Sequence, residues 1–295
     1  MDARMADGRR VAVLGGSSLV GQAVLPLLAA SGWHACAYSR RPRPSSLDVT
    51  GISWRLMPPV LASDEAPIHW WLCLAPIWTL PQYFAALEAC GARRVVALSS
   101  TSRFTKIDSS DDEENAVAQR LTQAEEQVRQ WAERRNIEWV ILRPTLIYGF
   151  GQDKNVSEIA RLIQRTTLFP LLGHAQGLRQ PVHALDIASA CVAALTAPAA
   201  ADQAYNLSGG ETLPYRQMVA RIFEALGRPV RMIAIPLFMF RIAVGLARVL
   251  PRFRKWSPAM AERMNRDMVF DHTAARQDLG FRPRPFHLSP NDIPA

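Results

Sequence analysis

Val11-Ala12-Val13-Leu14-Gly15-Gly16-Ser17-Ser18-Leu19-Val20-Gly21 is the stretch that decides the fold. Its first four residues form an unbroken apolar run, too short for a helix and suited to a strand buried on both faces. Glycines and serines follow, and from Leu19 to Ala30 the apolar residues recur with helical spacing, with Gly32 placed to stop the helix. A strand passing through a glycine-rich turn into a helix opens a βαβ unit. The helix N-terminus there offers unpaired amides and partial positive charge to an anion such as a diphosphate. Gly15 permits the tight turn, Gly21 lets the helix approach the sheet, and the hydroxyls of Ser17 and Ser18 add donors beside Leu19. The bland alternative is a glycine-rich loop that binds nothing.

Outward from this turn, apolar runs at 33–38, 52–56, 70–75, 94–98 and 139–142 read as further buried strands. Helical patterns at 81–90 and 117–134 alternate with them, giving an α/β, Rossmann-type, doubly wound parallel sheet. After Pro144, Gly149 and Gly151 the pattern changes. Asn155 is placed to cap a short helix over 156–165, Asp186 to cap a helix over 187–195, and a late strand is expected at 204–207. The expected division is a dinucleotide-binding domain over 1–149, completed by about 180–208, and a small mixed substrate domain from 150–179 and 209–295.

Composition narrows the function. The 295 residues carry 34 Lys+Arg against 26 Asp+Glu, a net charge of +8, which suits acidic ligands. Those positive charges are nearly all arginine and are spread along the chain. With no basic stripe and no zinc-finger spacing, nucleic acid is not the expected partner. Cys36, Cys73, Cys90 and Cys191 form no C-x-x-C pair and read as reduced core thiols, so no structural metal and a cytoplasmic location are expected. Arg9-Arg10 superficially resembles the start of a secretory signal, but Gly15 to Ser18, Gln22 and Pro26 interrupt the apolar stretch behind it. The stretch 235–255 is apolar with scattered arginines. Packing within the substrate domain is its first reading, and contact with a membrane surface or a protein its second.

The glycine turn resembles the Thr-Gly-Gly-x-Gly-x-x-Gly turn of extended short-chain dehydrogenase/reductases, the superfamily of nucleotide-sugar epimerases and dehydratases, with Ser18 where the middle glycine usually stands. Leu74-Ala75-Pro76, Leu98-Ser99-Ser100, the Arg143-Pro144 to Tyr148-Gly149 turn and Arg179 to Asp186 are similar to later motifs of that superfamily. The resemblance implies cofactor contacts from Ala75, Pro76, Ser99 and Pro144, a nucleotide-sugar substrate held by Arg179 and Asn155, and an assembly such as a homodimer. At the end of the second strand stands Ser39-Arg40-Arg41, where NAD-selective enzymes place a carboxylate. Two guanidiniums favour a 2′-phosphate, hence NADP over NAD. A solvated basic turn is the plainer alternative.

Proton exchange in the superfamily rests on Tyr-x-x-x-Lys. The lysines here are Lys106, Lys154 and Lys255, preceded at four residues by Ser102, Phe150 and Pro251, so the motif is absent from the sequence. Val117 and Leu121 stand where the pair is expected. Ser100, Tyr148 and Lys154 are the replacement candidates, with Asp153 and His183 as conceivable bases, each equally readable as a packing or loop residue. Two functions follow: an epimerase, dehydratase or reductase-like oxidoreductase, or a noncatalytic NADP-binding sensor or assembly factor.

Overall fold

The computed structural model describes residues 9–40, 50–58, 66–107, 109–240 and 258–294. Its centre is a seven-stranded, wholly parallel sheet built from β1 (Arg10–Leu14), β2 (His34–Ser39), β3 (Ile52–Leu56), β4 (Trp70–Cys73), β5 (Arg94–Leu98), β6 (Glu138–Pro144) and, after an excursion through short strands that pair outside the sheet, a late strand at Gln203–Leu207. The spatial order is β3-β2-β1-β4-β5-β6 and then the late strand. The order reverses between β1 and β4, and at that switch point crossovers leave on opposite faces and open a crevice at the strand C-termini.

The buried runs explain the layering. Along β1, Val11 and Val13 point into one core cluster, while Ala12 and Leu14 point into the other. A strand buried on both faces cannot alternate apolar with polar, which is why it reads as a continuous apolar run. The first cluster lies under α1 (Leu19–Ala30) and the helix Ala184–Ala194. The second lies under a 3-10 turn (Ile77–Tyr83), α2 (Phe84–Ala89) and α4 (Asp112–Arg135), with the short α3 (Ser102–Thr105) ahead of α4.

A third cluster gathers Tyr148, the helix Val156–Thr166, the strand Phe169–Leu172, the helix Tyr215–Ala225 and Phe286. Phe169–Leu172 pairs in parallel with Met232–Ile235. Together these form a mixed body at the C-terminal end of the sheet.

Element ends shift for identifiable reasons. The helix expected from 117 begins at Asp112 because Asp111 accepts the amides of Glu113 and Glu114. The strand expected over 70–75 stops at Cys73, and Pro76 starts the 3-10 turn. Asp186 is not a cap: the helix begins at Ala184, the His183 ring accepts the Leu185 amide, and Asp186 pairs with Arg284. Of 235–255, residues 241–255 lie outside the described residues, as does Arg41.

Candidate active site at the carboxyl edge of the sheet

The turn after β1 is shaped by missing side chains. Gly15 has φ +83°, and a Cβ built on it would sit 2.6 Å from the Ala75 amide nitrogen and 2.9 Å from the Leu74 carbonyl carbon. The β1 and β4 ends thus meet at backbone contact there. On Gly21 a Cβ would lie 2.3 Å from the Gly16 carbonyl oxygen, so this glycine lets the helix close onto its own turn rather than onto the sheet. Ser18 caps α1, its hydroxyl accepting the Gly21 amide at 3.1 Å, and its own amide bonds to the Gly15 carbonyl. The side chain at the middle-glycine position is therefore folded onto the helix. Among the described residues the amides of Leu19 and Val20 have no acceptor. They are the free donors that a helix N-terminus at a switch point presents to a diphosphate, and this cradle fits a dinucleotide.

Around the cradle, Ser17 and Arg40 are exposed, Ser39 is half-buried at the end of β2, and Ala75 and Pro76 carry the chain away from β4. Gln22 on α1 reaches Gln152 at 3.0 Å, tying the cradle to the loop that follows β6 and β7 (Ile147–Tyr148).

The opposite side of the crevice holds a charged floor that the sequence reading missed. Glu125, 3% exposed, accepts the Ser99 hydroxyl at 2.5 Å and Arg143 at 2.7 and 3.1 Å, and it also pairs with Arg103. Ser99 is thus turned into the protein. A buried carboxylate demands such partners, and these come from the ends of β5, α3 and β6, which the cluster locks together. The signal was present. Val117, Leu121 and Glu125 follow at four-residue steps, so one acid sits on the inward, apolar face of α4. Leu121 is buried in the second core cluster and Val117 packs against it.

The replacement candidates are scattered. Ser100 is half-buried, and its hydroxyl accepts the Ser102 amide at 3.1 Å. Its neighbour Thr101 is buried and donates to the Pro144 carbonyl at 3.1 Å, which is how Pro144 is held. Tyr148 is fully buried, donates to the His287 carbonyl at 3.2 Å, and is pushed up to about 12 by burial. It is a packed residue against His183 and Phe286.

His183 is spent on both nitrogens, accepting the Leu185 amide and meeting Asp292 at 3.0 Å. Lys154 and Asn155 are exposed. Asn155 stands at the cap position without capping. Asp153 does that work instead, accepting the Ser157 amide at 3.2 Å and the Ser157 hydroxyl at 2.6 Å.

Arg179 is buried, stacks 5.5 Å from the Tyr215 ring, and donates to the carbonyls of Leu178, Arg266 and Arg263. Burial lowers its pKa. In the acidic first turn of α4, Glu114 is buried and pairs with Lys106 at 3.7 Å and with Arg263. Among the described residues no group of three metal-ligating side chains occurs, and no helix is long and apolar enough to cross a membrane.

A model of the NAD dependent epimerase/dehydratase family matches residues 82–208, which include the charged floor, the Arg143-Pro144 turn and Arg179. The match spans 127 of the 295 residues, a little under half of the chain. The chain is 25% identical over 162 residues to UDP-glucose 4-epimerase of Vibrio cholerae, which is 55% of this chain and 47% of that protein. It is 28% identical over 152 residues to the uncharacterised protein y4nG of Sinorhizobium fredii, 52% of this chain and 38% of that protein. The chain thus spans less than half the length of the curated relatives it matches.

Two solved structures share the fold. MoeE5 in complex with UDP-glucose and NAD superposes with a TM-score of 0.66 at 20% identity, covering 94% of both chains. UDP-glucuronic acid 4-epimerase from Bacillus cereus in complex with NAD superposes with a TM-score of 0.68 at 14% identity, covering 96% of this chain and 93% of that one. The comparisons thus place a segment similar to the epimerase/dehydratase family on a Rossmann-like sheet.

Proposed function

We propose that the chain is an NADP-binding, nucleotide-sugar epimerase/dehydratase/reductase-like protein that works without the Tyr-x-x-x-Lys pair. The observation that carries the reading is the cradle. Glycines whose Cβ atoms would strike backbone, and two acceptor-free helix amides, face the switch point of the sheet. Ser39 and Arg40, with Arg41 next in sequence, favour the 2′-phosphate of NADP. The named complexes of MoeE5 and the Bacillus cereus enzyme with NAD and uridine diphosphate sugars or NAD support a nicotinamide dinucleotide and a sugar nucleotide as the ligand classes. A division into a dinucleotide-binding domain and a substrate lobe across the crevice belongs to the same proposal.

A bound nicotinamide supplies hydride exchange at its C4 carbon. This chain's residues bind and orient: the amides at 19 and 20 take the diphosphate, and the Glu125 floor fixes the β5 and β6 ends beside it. At the pair's positions the aliphatic side chains of Val117 and Leu121 can neither give nor take a proton. That specific feature favours a second reading, a noncatalytic NADP-binding sensor.

Calorimetry with NADP, NADPH, NAD and NADH, followed by turnover assays on UDP-glucose and UDP-glucuronic acid, tests both. NADP bound at least tenfold tighter than NAD, with sugar turnover, supports the enzyme. NADP binding without turnover selects the sensor. Absence of heat with all four dinucleotides overturns both.

A further inference from the structure

Five of the twelve large apolar side chains exposed among the described residues fall within ten positions: Val230, Ile233, Leu237, Phe238 and Met239, with Phe238 65% exposed. The local structure explains why they face outward. Along the strand Met232–Ile235, the two end residues Met232 and Ile235 pack on the third core cluster, while Ile233 and Ala234 between them are exposed. Pro236 ends the strand, and residues 237–240 are helical, with Phe240 buried and Leu237, Phe238 and Met239 left outside. A local concentration of exposed apolar side chains of this kind points to an interaction site.

Charge selects the partner. From Ala225 to Ala261 the sequence contains no Asp or Glu, in a chain that has 26 of them, and it carries Arg228, Arg231, Arg241, Arg248, Arg252, Arg254 and Lys255. Arg228 is engaged by the Ile163 and Gln164 carbonyls, whereas Arg231 is exposed beside the apolar cluster. Protruding apolar side chains beside the exposed Arg231, in a stretch of sequence free of acids, match the boundary of an anionic bilayer, where apolar groups enter the acyl region and a guanidinium meets phosphates. We infer that residues 230–239 form a peripheral docking surface for membranes rich in anionic phospholipid. The nucleotide crevice would then work at the membrane face.

Sedimentation with vesicles of phosphatidylcholine containing phosphatidylglycerol, and with phosphatidylcholine alone, tests this on the full chain. Binding to the anionic vesicles only, weakened by salt, is the expected result. The double substitution Phe238→Asp with Met239→Asp should abolish it. Arg231→Gln should weaken it about fivefold, the effect of one interfacial cation. These side chains are exposed, so the variants should keep the wild-type thermal midpoint, and that measurement separates lost docking from lost folding. Equal sedimentation of wild type and double variant overturns the inference. So does absence of vesicle binding, whether the wild type elutes as a monomer, which points to cover by another part of the chain, or as a dimer that the double variant dissociates, which points to a second copy.

Discussion

The turn after β1 and the floor under α4 flank the same crevice and are built on opposite principles. The turn is made by leaving atoms out, with Gly15 and Gly21 holding backbone against backbone and Leu19 and Val20 offering amides. The floor is made by putting charge in, one carboxylate holding Ser99, Arg103 and Arg143. A ligand can be grasped by the first because its donors are free. The second has satisfied itself, so it acts as scaffold. Absence of side chains makes a binding place, and mutual saturation of side chains makes a rigid one.

The largest test of that contrast is Glu125→Ala. Removing the buried carboxylate strands two guanidiniums, and breaking such a pair costs about 3 to 5 kcal/mol. Urea unfolding should show this loss, while calorimetry on the folded fraction should show NADP affinity nearly unchanged. A variant with wild-type stability and lost binding would make the floor part of the ligand site. Gly15→Ala is the complementary case. The new Cβ falls on the Ala75 amide with φ +83°, and strain plus overpacking costs about 2 to 3 kcal/mol. Here dinucleotide affinity should fall about a hundredfold, the equivalent of nearly 3 kcal/mol.

The same contrast explains what sequence could reveal. The first strand, the turn and the sheet were legible because backbone demands leave local marks: a run of Val and Leu for a strand buried on both sides, and glycines where no Cβ fits. The floor escaped because its members lie at 99, 103, 125 and 143, and only the fold brings them together. Asp186 was misplaced as a cap for the same reason, since its partner is Arg284, nearly a hundred residues on. Arg179 shows the limit in another way. A guanidinium at that position reads as a phosphate binder, yet here it is held by three backbone carbonyls. The helix starts five residues before its apolar spacing begins, because its first turn is acidic and Glu114 in it is buried against Lys106 and Arg263.

A smaller effect probes the rim of the turn. Replacing Arg40 and Arg41 together by serine should reduce the preference for NADP over NAD about tenfold, as expected for losing one charge-assisted contact to the 2′-phosphate. Equal affinities for both dinucleotides in the wild type would make this a solvated basic turn and leave the cradle as the whole of the site.

The smallest effect concerns how the chain's end is fastened to the far rim. Asp292 accepts the Phe150 amide at 3.2 Å and the Ser289 hydroxyl at 2.6 Å, and it meets His183 at 3.0 Å. Burial alone would raise its pKa, but the hydrogen bonds from His183 and Ser289 outweigh this and hold the carboxyl far below the usual carboxylate range. A group whose folded pKa is depressed stabilises the fold above its unfolded pKa, about 3.9 for aspartate, and loses that contribution as pH falls toward the folded value. The difference in unfolding stability between wild type and Asp292→Asn should therefore be flat from neutral pH down to about pH 5 and shrink below about pH 4. Its size is on the order of 1 kcal/mol, the net worth of a single hydrogen bond in a folded protein. A difference that stays constant into acid would mean that the tail is held by shape and neutral hydrogen bonds. The far rim would then resemble the cradle, built by fit, more than the floor, built by charge.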